Sequence, residues 1–187
     1  MYLENIVFDA VDPQTFGRSW EATLGTETLT DQYEGYETRL AIPDGPVLDL
    51  CFQRVPEEPV EPERLHLEVR GPDLVAIRLA AADPDRDRAF WQWLTGWVAT
   101  EDSQIRGLQH PSGNGPVLEL VPEDQPKGAA KNRIHLDLRL EAGDDADEVA
   151  RGIADHGGQE LHFDWGDLPW RHFADPSGNE FCVLRAP

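Results

Sequence analysis

The sequence predicts an α+β fold built from several copies of one strand–helix–strand unit. Residues 6–25 and 77–96 each run from an apolar stretch through an Asp-Pro pair into a helical pattern that ends at a glycine. Residues 64–69 and 133–138 alternate apolar and polar side chains, which is typical of a strand covered on one face only. Self-similar segments of this kind indicate that the chain is a set of repeats.

The two predicted helices have matching start and stop signals. An Asp-Pro pair, at residues 12–13 and 83–84, suits a helix start, because aspartate caps free N–H groups and proline fits the first helical position. A glycine then provides a C-terminal stop, at Gly25 in the first copy and Gly96 in the second. We therefore predict one helix between each pair of signals.

The chain is divided into units of one strand, one helix and three more strands, written βαβββ. Unit one covers residues 3–54, unit two residues 75–121 and unit three residues 133–185. The first alternating strand runs directly into unit two, so the helix and three strands expected after it are missing. We predict a truncated N-terminal domain at residues 1–71 and a C-terminal domain of two complete units at residues 72–187.

Composition limits the classes of partner and compartment. The formal net charge of −20 opposes binding to nucleic acid or to an anionic membrane surface. The sequence contains no long apolar run for a membrane span and no signal-peptide pattern at its start. Cys51 and Cys182 are too few for a disulfide framework, so we expect reduced cysteines and a cytoplasmic protein.

Three motifs carry a resemblance to a known family: DPDRDRAFWQWLTGW at residues 83–97, KNRIHLDLR at 131–139 and DPSGNEFCVLR at 175–185. With them, the chain resembles the vicinal oxygen chelate superfamily, in particular its glyoxalase-like branch of actinobacterial type. The resemblance implies that paired βαβββ units form curved mixed sheets with helices on the outer face. It also implies a ligand on the inner face and, in many members, a divalent metal.

The resemblance also implies a ligand set, because metal-dependent members use a residue on the first strand and a Glu on the last strand of each unit. These positions fall on His135 and Glu119, while the last strand of unit three offers Cys182 and, two residues earlier, Glu180. We expect His135, Glu119 and Cys182 to hold Zn, Fe, Ni or Mn, and Glu119, His135 and Glu180 to be catalytic. The remaining position falls near Ala76, which cannot ligate, and His135 could instead line a pocket without a metal.

Polar aromatic residues are dense between residues 162 and 172, where we predict a hairpin at the mouth of a cup formed by units two and three. Trp165, Trp170 and His172 could stack there on a flat or cationic ligand. Asp137 is predicted to face the same pocket, because it alternates with the apolar side of its strand.

Unit one repeats the ligand pattern in part. Asn5 and Asp49 occupy its first-strand and last-strand positions, and His66 lies on the following strand. These residues indicate either a second pocket or a structural copy without a function. Because unit one lacks a complete partner in this assignment, we predict a homodimer that pairs unit one across a two-fold axis.

Two functions remain open from the sequence. The first is a metal-assisted lyase, isomerase or dioxygenase-like enzyme, and the second is a metal-free protein that binds and sequesters a small molecule, as antibiotic-resistance members of the superfamily do. Ala76 in the ligand set favours binding, whereas His135 and the carboxylates favour a metal. The sequence leaves open whether the protein is catalytic.

Overall fold

The computed structural model describes residues 1–56, 63–100, 107–164, 166 and 168–187. These residues contain three helices and thirteen strands, and the strands form two mixed sheets. This confirms the predicted α+β fold of βαβββ units. The helices are α1 (Pro13–Leu24), α2 (Pro84–Thr95) and α3 (Ala146–Asp155). The strands are β1 (Tyr2–Ala10), β2 (Glu27–Gln32), β3 (Gly35–Ala41), β4 (Val47–Arg54), β5 (Leu65–Arg70), β6 (Asp73–Ala81), β7 (Val98–Ala99), β8 (Gly107–Gln109), β9 (Val117–Pro122), β10 (Ile134–Arg139), β11 (Gln159–Leu161), β12 (Trp170–Ala174) and β13 (Glu180–Leu184).

The larger sheet has eight strands in the order β11-β12-β13-β10-β1-β4-β3-β2. At its centre, β1 and β10 run antiparallel, with Ile6 opposite Leu136. On either side the first strand of a unit pairs in parallel with the last strand of the same unit, β1 with β4 and β10 with β13. Unit one and unit three therefore build this sheet together.

One face of the eight-stranded sheet is apolar and packs into the core with the helices. Ile6, Phe8, Leu136, Leu138 and Phe181 are all buried there. Because side chains alternate along a strand, the polar residues of the same strands point to the opposite face. That second face is where the candidate site lies.

The smaller sheet has five strands in the order β5-β6-β9-β8-β7. Here β6 pairs antiparallel with β5 and parallel with β9, which is the arrangement that β1 has with β10 and β4. The chain passes from β5 to β6 through a turn at Gly71, whose φ of 62° is accessible to glycine at little cost. The strand β5 is therefore not the start of a further unit but an edge strand that pairs with β6.

The predicted pairing of units two and three into one cup is wrong. The strand β6 lies in the five-stranded sheet, whereas β10 lies in the eight-stranded sheet beside β1. The physical reason is the hairpin of β5 and β6, which occupies the edge of β6 that β10 would otherwise need. The predicted domain boundary between residues 71 and 72 falls in the turn of that hairpin.

Unit one consequently has a complete partner within its own chain. The antiparallel register runs from Tyr2 opposite Arg139 to Phe8 opposite Ile134. The expectation of a homodimer rested on an unpaired unit one, and that reason no longer holds.

The helices begin and end as their sequence signals predict. The side chains of Asp12 and Asp83 cap α1 and α2, and Gly25 and Gly96 end these helices in the left-handed region. The third helix, α3, is capped by Asp145, whose side chain accepts from the backbone N–H groups of Asp147 and Glu148. Helices of 10 to 12 residues are the longest in the described chain, and none has the length and apolarity to cross a membrane.

The second helix joins the two sheets. The rings of Phe90 and Trp91 on α2 contact Phe181 on β13, at centroid distances of 5.9 and 5.4 Å. The indole N–H of Trp91 donates to Asp175 Oδ2 at 3.1 Å, just before β13. Unit two is therefore packed against unit three through its helix, although their strands do not pair.

Candidate functional site

A cavity of about 540 Å³ opens on the polar face of the eight-stranded sheet. Its floor comes from β1, β4, β10 and β13, so unit one and unit three both contribute. One wall comes from the hairpin of β11 and β12, including Phe163 and Trp170. The volume is in the range of pockets that enclose a small organic molecule.

The strand register places a row of polar residues on this face of the sheet, all of which line the cavity except Asp49. Asp49 lies opposite Asn5, Asn5 opposite Asp137, Asp137 opposite Cys182, and Cys182 opposite His172. All five residues share one face, because neighbours in register on a pleated sheet point to the same side. The pairing of unit one with unit three therefore brings Asn5 next to Asp137.

Three of the floor residues form a compact group of possible metal ligands. One ligand atom each from His135, Asp137 and Cys182 can be chosen so that all lie within 4.8 Å of one another. His135 Nε2 lies 3.4 Å from Asp137 Oδ1, and Asn5 Nδ2 donates to Asp137 Oδ2 at 3.4 Å. All four side chains are buried.

Several polar atoms of this group have no hydrogen-bond partner. In the described part of the chain they are Asn5 Oδ1, His135 Nδ1 and Asp137 Oδ1, with the Nε atoms of two arginines elsewhere. A buried polar atom without a partner costs about 1–3 kcal/mol. Three of them in one cluster, at the floor of a cavity, indicate a site built to contact a polar ligand or an ion.

Burial sets the protonation states at the floor. It lowers the pKa of His135 to about 3, with smaller effects from Lys131 and His172, so the imidazole is neutral at physiological pH. Burial likewise raises the pKa of Asp137 to about 7, partly offset by hydrogen bonds from Asn5 and Cys182. Burial also raises the pKa of the Cys182 thiol.

These three residues fit a divalent metal. A neutral imidazole, a carboxylate and a thiol that can ionise on metal binding are the nitrogen, oxygen and sulfur donors found in zinc sites. An unpartnered carboxylate oxygen on Asp137 and an unpartnered nitrogen on His135 leave donor atoms available. Asp49, in the same row, accepts two hydrogen bonds from Arg39, at 2.7 and 2.6 Å. Its carboxylate oxygens are therefore already partnered and are not available as metal ligands.

Basic side chains at the cavity are already paired. Lys131 Nζ lies 2.9 and 2.8 Å from the two carboxylate oxygens of Asp9, which also accepts a hydrogen bond from Gln53 at 2.7 Å. Arg139 Nε lies 2.7 and 2.6 Å from the two oxygens of Glu4. Both acids come from β1 and both bases from unit three or the residues just before it, so these ion pairs also join the two units.

The predicted hairpin is present, since β11 and β12 pair antiparallel around residues 162–169. Trp170 and His172 line the cavity, and Trp170 Nε1 donates to His172 Nε2 at 3.1 Å. The ring of Phe163 meets that of His172 edge-on, with 5.2 Å between centroids. Trp165 lies outside the described residues.

The predicted role of Glu119 is wrong. It lies on β9 in the five-stranded sheet, where its carboxylate is 2.8 Å from Arg78 Nε, so it cannot join His135. The error follows from the wrong pairing of units. The residue opposite it in register is Arg78, which occupies the place of Asn5 and Asp137 in the other units.

The other predicted residues reach the cavity. Asp137, His135, Glu180 and Cys182 all line it. Glu180 is separate from the metal-ligand group, since it accepts a hydrogen bond from Asn132 N at 3.2 Å and pairs with Lys127 at 3.1 Å.

The sequence analysis placed Asn5 either in a second pocket or in a structural copy without a function, and it missed Lys131. The available signal was the match between PVLDL at residues 46–50 and NEFCV at 179–183. That match aligns Asp49 with Cys182, and through the strand register it aligns Asn5 with Asp137.

Comparisons with known proteins agree with this architecture. A family model described as a glyoxalase-like domain matches residues 5–79 and again residues 75–184, which is most of the chain. No curated protein sequence matches the chain.

Several solved structures are similar at low sequence identity. A putative dioxygenase from Bacillus subtilis is 16% identical, with 100% of this chain and 62% of that chain covered and a TM-score of 0.43. Glyoxalase I from Zea mays is 16% identical over 99% of this chain and 68% of that chain, with a TM-score of 0.41. A glyoxalase-related enzyme from Fulvimarina pelagi is 20% identical over 62% of this chain and 88% of that chain, with a TM-score of 0.42. The chain thus spans less than two thirds of the length of the Bacillus protein.

Proposed function

Because the chain belongs to the glyoxalase-like domain family of the vicinal oxygen chelate superfamily, we propose that its cavity binds a small organic molecule above a divalent metal ion held by His135, Asp137 and Cys182. The observation that carries the proposal is the group of three unlike donors within 4.8 Å, two of which present buried atoms without a partner. Thiolate and imidazole donors favour zinc among the candidate ions. The reaction class is metal-assisted lyase, isomerase or dioxygenase-type chemistry.

Each residue of the floor has a distinct task in this proposal. A divalent ion would polarise a ligand oxygen and stabilise negative charge that develops on it. His135 donates a neutral imidazole nitrogen, because its low pKa keeps a proton from competing for that atom. Asn5 holds Asp137 through its amide N–H, as outer hydrogen bonds commonly orient ligating carboxylates.

The walls of the cavity complete the arrangement. Phe163 and Trp170 provide aromatic surface for the organic part of a ligand and reduce the water around the floor. The position of Trp170 is fixed by its hydrogen bond to His172. A ligand would thus meet polar groups at one end and apolar surface along its side.

The experiment is elemental analysis of the full-length protein after purification with divalent metals present. We expect close to one metal ion per chain in the wild type and a loss of most of it in His135→Ala. The matched control is His66→Ala, since His66 occupies the same place in the motif RLHLEV but is exposed on β5 of the smaller sheet. A wild type without metal, or a His135→Ala variant with full metal content, would contradict the proposed metal site.

The second candidate function is metal-free binding and sequestration of a small molecule. The pairing of Asp49 with Arg39 favours it, because it removes one of the carboxylates in the floor row from ligation. The same elemental analysis decides between the two, since a metal-free wild type that still binds small molecules is the result expected for sequestration.

Assembly and location remain predictions. Light scattering at micromolar concentration tests the predicted homodimer, and a monomer mass is the result that rules it out. Both cysteines are free, and the cytoplasmic location is not tested by this.

A further inference from the structure

Each basic side chain at the cavity is paired with a carboxylate. Apart from histidines, Lys131 and Arg139 are the basic residues lining the cavity in the described part of the chain. Asp9 holds Lys131 by contacts of 2.8 and 2.9 Å, and Glu4 holds Arg139 by contacts of 2.6 and 2.7 Å. The carboxylates of both pairs are largely buried, so salt and water weaken these interactions less than they would on an open surface.

Of the two acidic residues that line the cavity, only one is paired with a basic side chain of the described chain. Glu180 is paired with Lys127 at 3.1 Å. Asp137 forms no ion pair with a lysine or arginine of the described chain, and the imidazole 3.4 Å from its Oδ1, that of His135, is neutral. An incoming anion would therefore meet a carboxylate at the floor and no basic side chain without a partner of its own.

A metal bound as proposed would still leave the floor without a net positive charge. If Asp137 and a Cys182 thiolate held a divalent ion, their two negative charges would offset its two positive charges. The remaining field of the protein is strongly negative, with a net charge of −20. Such a field lowers the local concentration of anions and raises that of cations.

The wall of the cavity complements the apolar part of a ligand. It is formed by apolar and aromatic side chains of the β11–β12 hairpin, namely Leu161, Phe163, Leu168, Pro169 and Trp170. Aromatic rings bind flat molecules by stacking and attract cations through the negative face of the ring.

We infer that this cavity takes an uncharged or cationic small molecule with a flat apolar body and discriminates against anions. Asp9 and Glu4 determine this specificity, because each cancels a basic side chain that would otherwise attract an anion. The inference rests on the proposed function in one respect, namely that the ligand enters this cavity. It adds the ligand class and two specificity-determining residues that do not themselves hold the metal.

The size of the effect follows from the strength of charged contacts. An anion gives up its hydrogen bonds to water when it enters the cavity; a buried group left without a partner costs about 1–3 kcal/mol, more if it is charged, and 1.4 kcal/mol corresponds to a tenfold change in affinity. An anion that finds no available cation should therefore bind at least about ten times more weakly than an uncharged analogue.

The test uses isothermal titration calorimetry on the full-length protein with three probes that share an indole ring. These probes are tryptamine, which is a cation, 3-methylindole, which is uncharged, and indole-3-propionate, which is an anion. We expect tryptamine and 3-methylindole to bind at least about tenfold more tightly than indole-3-propionate. Equal or tighter binding of the anion would overturn the inference.

Variants test the residues to which the specificity is assigned. Asp9→Asn and Glu4→Gln release Lys131 and Arg139, so each should tighten indole-3-propionate binding by about five- to tenfold and weaken tryptamine binding. The matched control is Glu119→Gln, which removes a similarly buried partner of Arg78 on the other sheet and should leave all three affinities unchanged. Thermal melting confirms that each variant is folded.

The outcomes separate this inference from the proposed function. Unchanged anion affinity in both folded cavity variants would overturn the roles of Asp9 and Glu4, even if the wild type prefers cations. If none of the three probes binds, the flat-bodied ligand class is wrong, while the metal content of His135→Ala still judges the proposed metal site independently.

Discussion

At the scale of single residues, the floor of the cavity contains a buried acid, Asp137, that lowers the stability of the folded chain when it is ionised. Asp137 is buried, one of its carboxylate oxygens has no partner, and burial raises its pKa to about 7. A carboxylate in such a place destabilises the folded chain when it is ionised. Binding of a polar ligand or an ion, as proposed above, would account for a carboxylate at this place.

The first prediction concerns the pH dependence of stability in protein from which metal has been removed by a chelator. The pKa of Asp137 in the folded chain exceeds the ordinary value of 3.8, so the unfolded chain releases the proton first as pH rises. The destabilisation is therefore absent below about pH 4, grows with pH and is complete above about pH 7. Asp137→Asn should remove it and stabilise the chelated protein at pH 8 by about 2 kcal/mol, which is several degrees in melting temperature.

Thermal melting at pH 4 and pH 8 provides the check. We expect the advantage of Asp137→Asn over the wild type at pH 8 and little difference at pH 4. A variant that is less stable than the wild type at pH 8 would show that the carboxylate is stabilised in the folded chain, contrary to this description of the floor.

At the scale of elements, local signals decide most of the structure. The bounds of α1 and α2 were predictable, because caps, an N-terminal proline and a terminal glycine act within one or two turns. The inward direction of His135 and Cys182 was predictable as well, because alternation along a strand is a local property. Their depth of burial was not, since it depends on strands from unit one.

The packing of α1 on its sheet gives the second prediction. Gly17 packs closely on two aromatic rings. A Cβ added at Gly17 would lie 2.2 Å from Cδ1 of Tyr36 and 3.0 Å from the ring of Phe52. Gly17→Ala should therefore destabilise the chain by about 1–2 kcal/mol, even after the gain in helix propensity. The control is Gly143→Ala, where an added Cβ meets nothing within 4 Å and the change should stay within about 0.5 kcal/mol.

Chemical denaturation measures both variants. Equal stability of Gly17→Ala and Gly143→Ala would mean that α1 does not pack as closely on β3 and β4 as the structure shows.

At the scale of the whole molecule, the pairing of units could not be predicted from local pattern. Units one, two and three all offer a first strand with similar alternation, and nothing in that pattern says which two first strands meet. The deciding feature is β5, which pairs with β6 through a short turn and leaves β10 to pair with β1. Consequently the sequence predicted that His135, Asp137 and Cys182 face a cavity. It did not predict that Asn5 lies beside them, and it wrongly included Glu119 in the ligand set.

The third prediction follows from that pairing. A fragment of residues 72–187 lacks unit one, so the antiparallel partner of β10 is absent and the apolar side chains of Leu136 and Leu138 lose their neighbours on β1. We expect this fragment to lose cooperative thermal unfolding and to bind a hydrophobic dye, whereas the full chain unfolds cooperatively. A fragment that melts in one sharp transition would instead support a C-terminal domain made of units two and three.

The central claim is that His135, Asp137 and Cys182 together hold a metal, and cobalt substitution tests it most directly. Co²⁺ bound by a thiolate gives a sulfur-to-metal charge-transfer absorption in the near ultraviolet, so the spectrum reports the Cys182 contact itself. We expect this absorption in the wild type. We also expect it in Cys51→Ser, because the thiol of Cys51 donates a hydrogen bond to Glu37 at 3.3 Å and is not part of the proposed site. We expect its loss in Cys182→Ser; a spectrum without the band in the wild type, or with the band intact in Cys182→Ser, would contradict the claim.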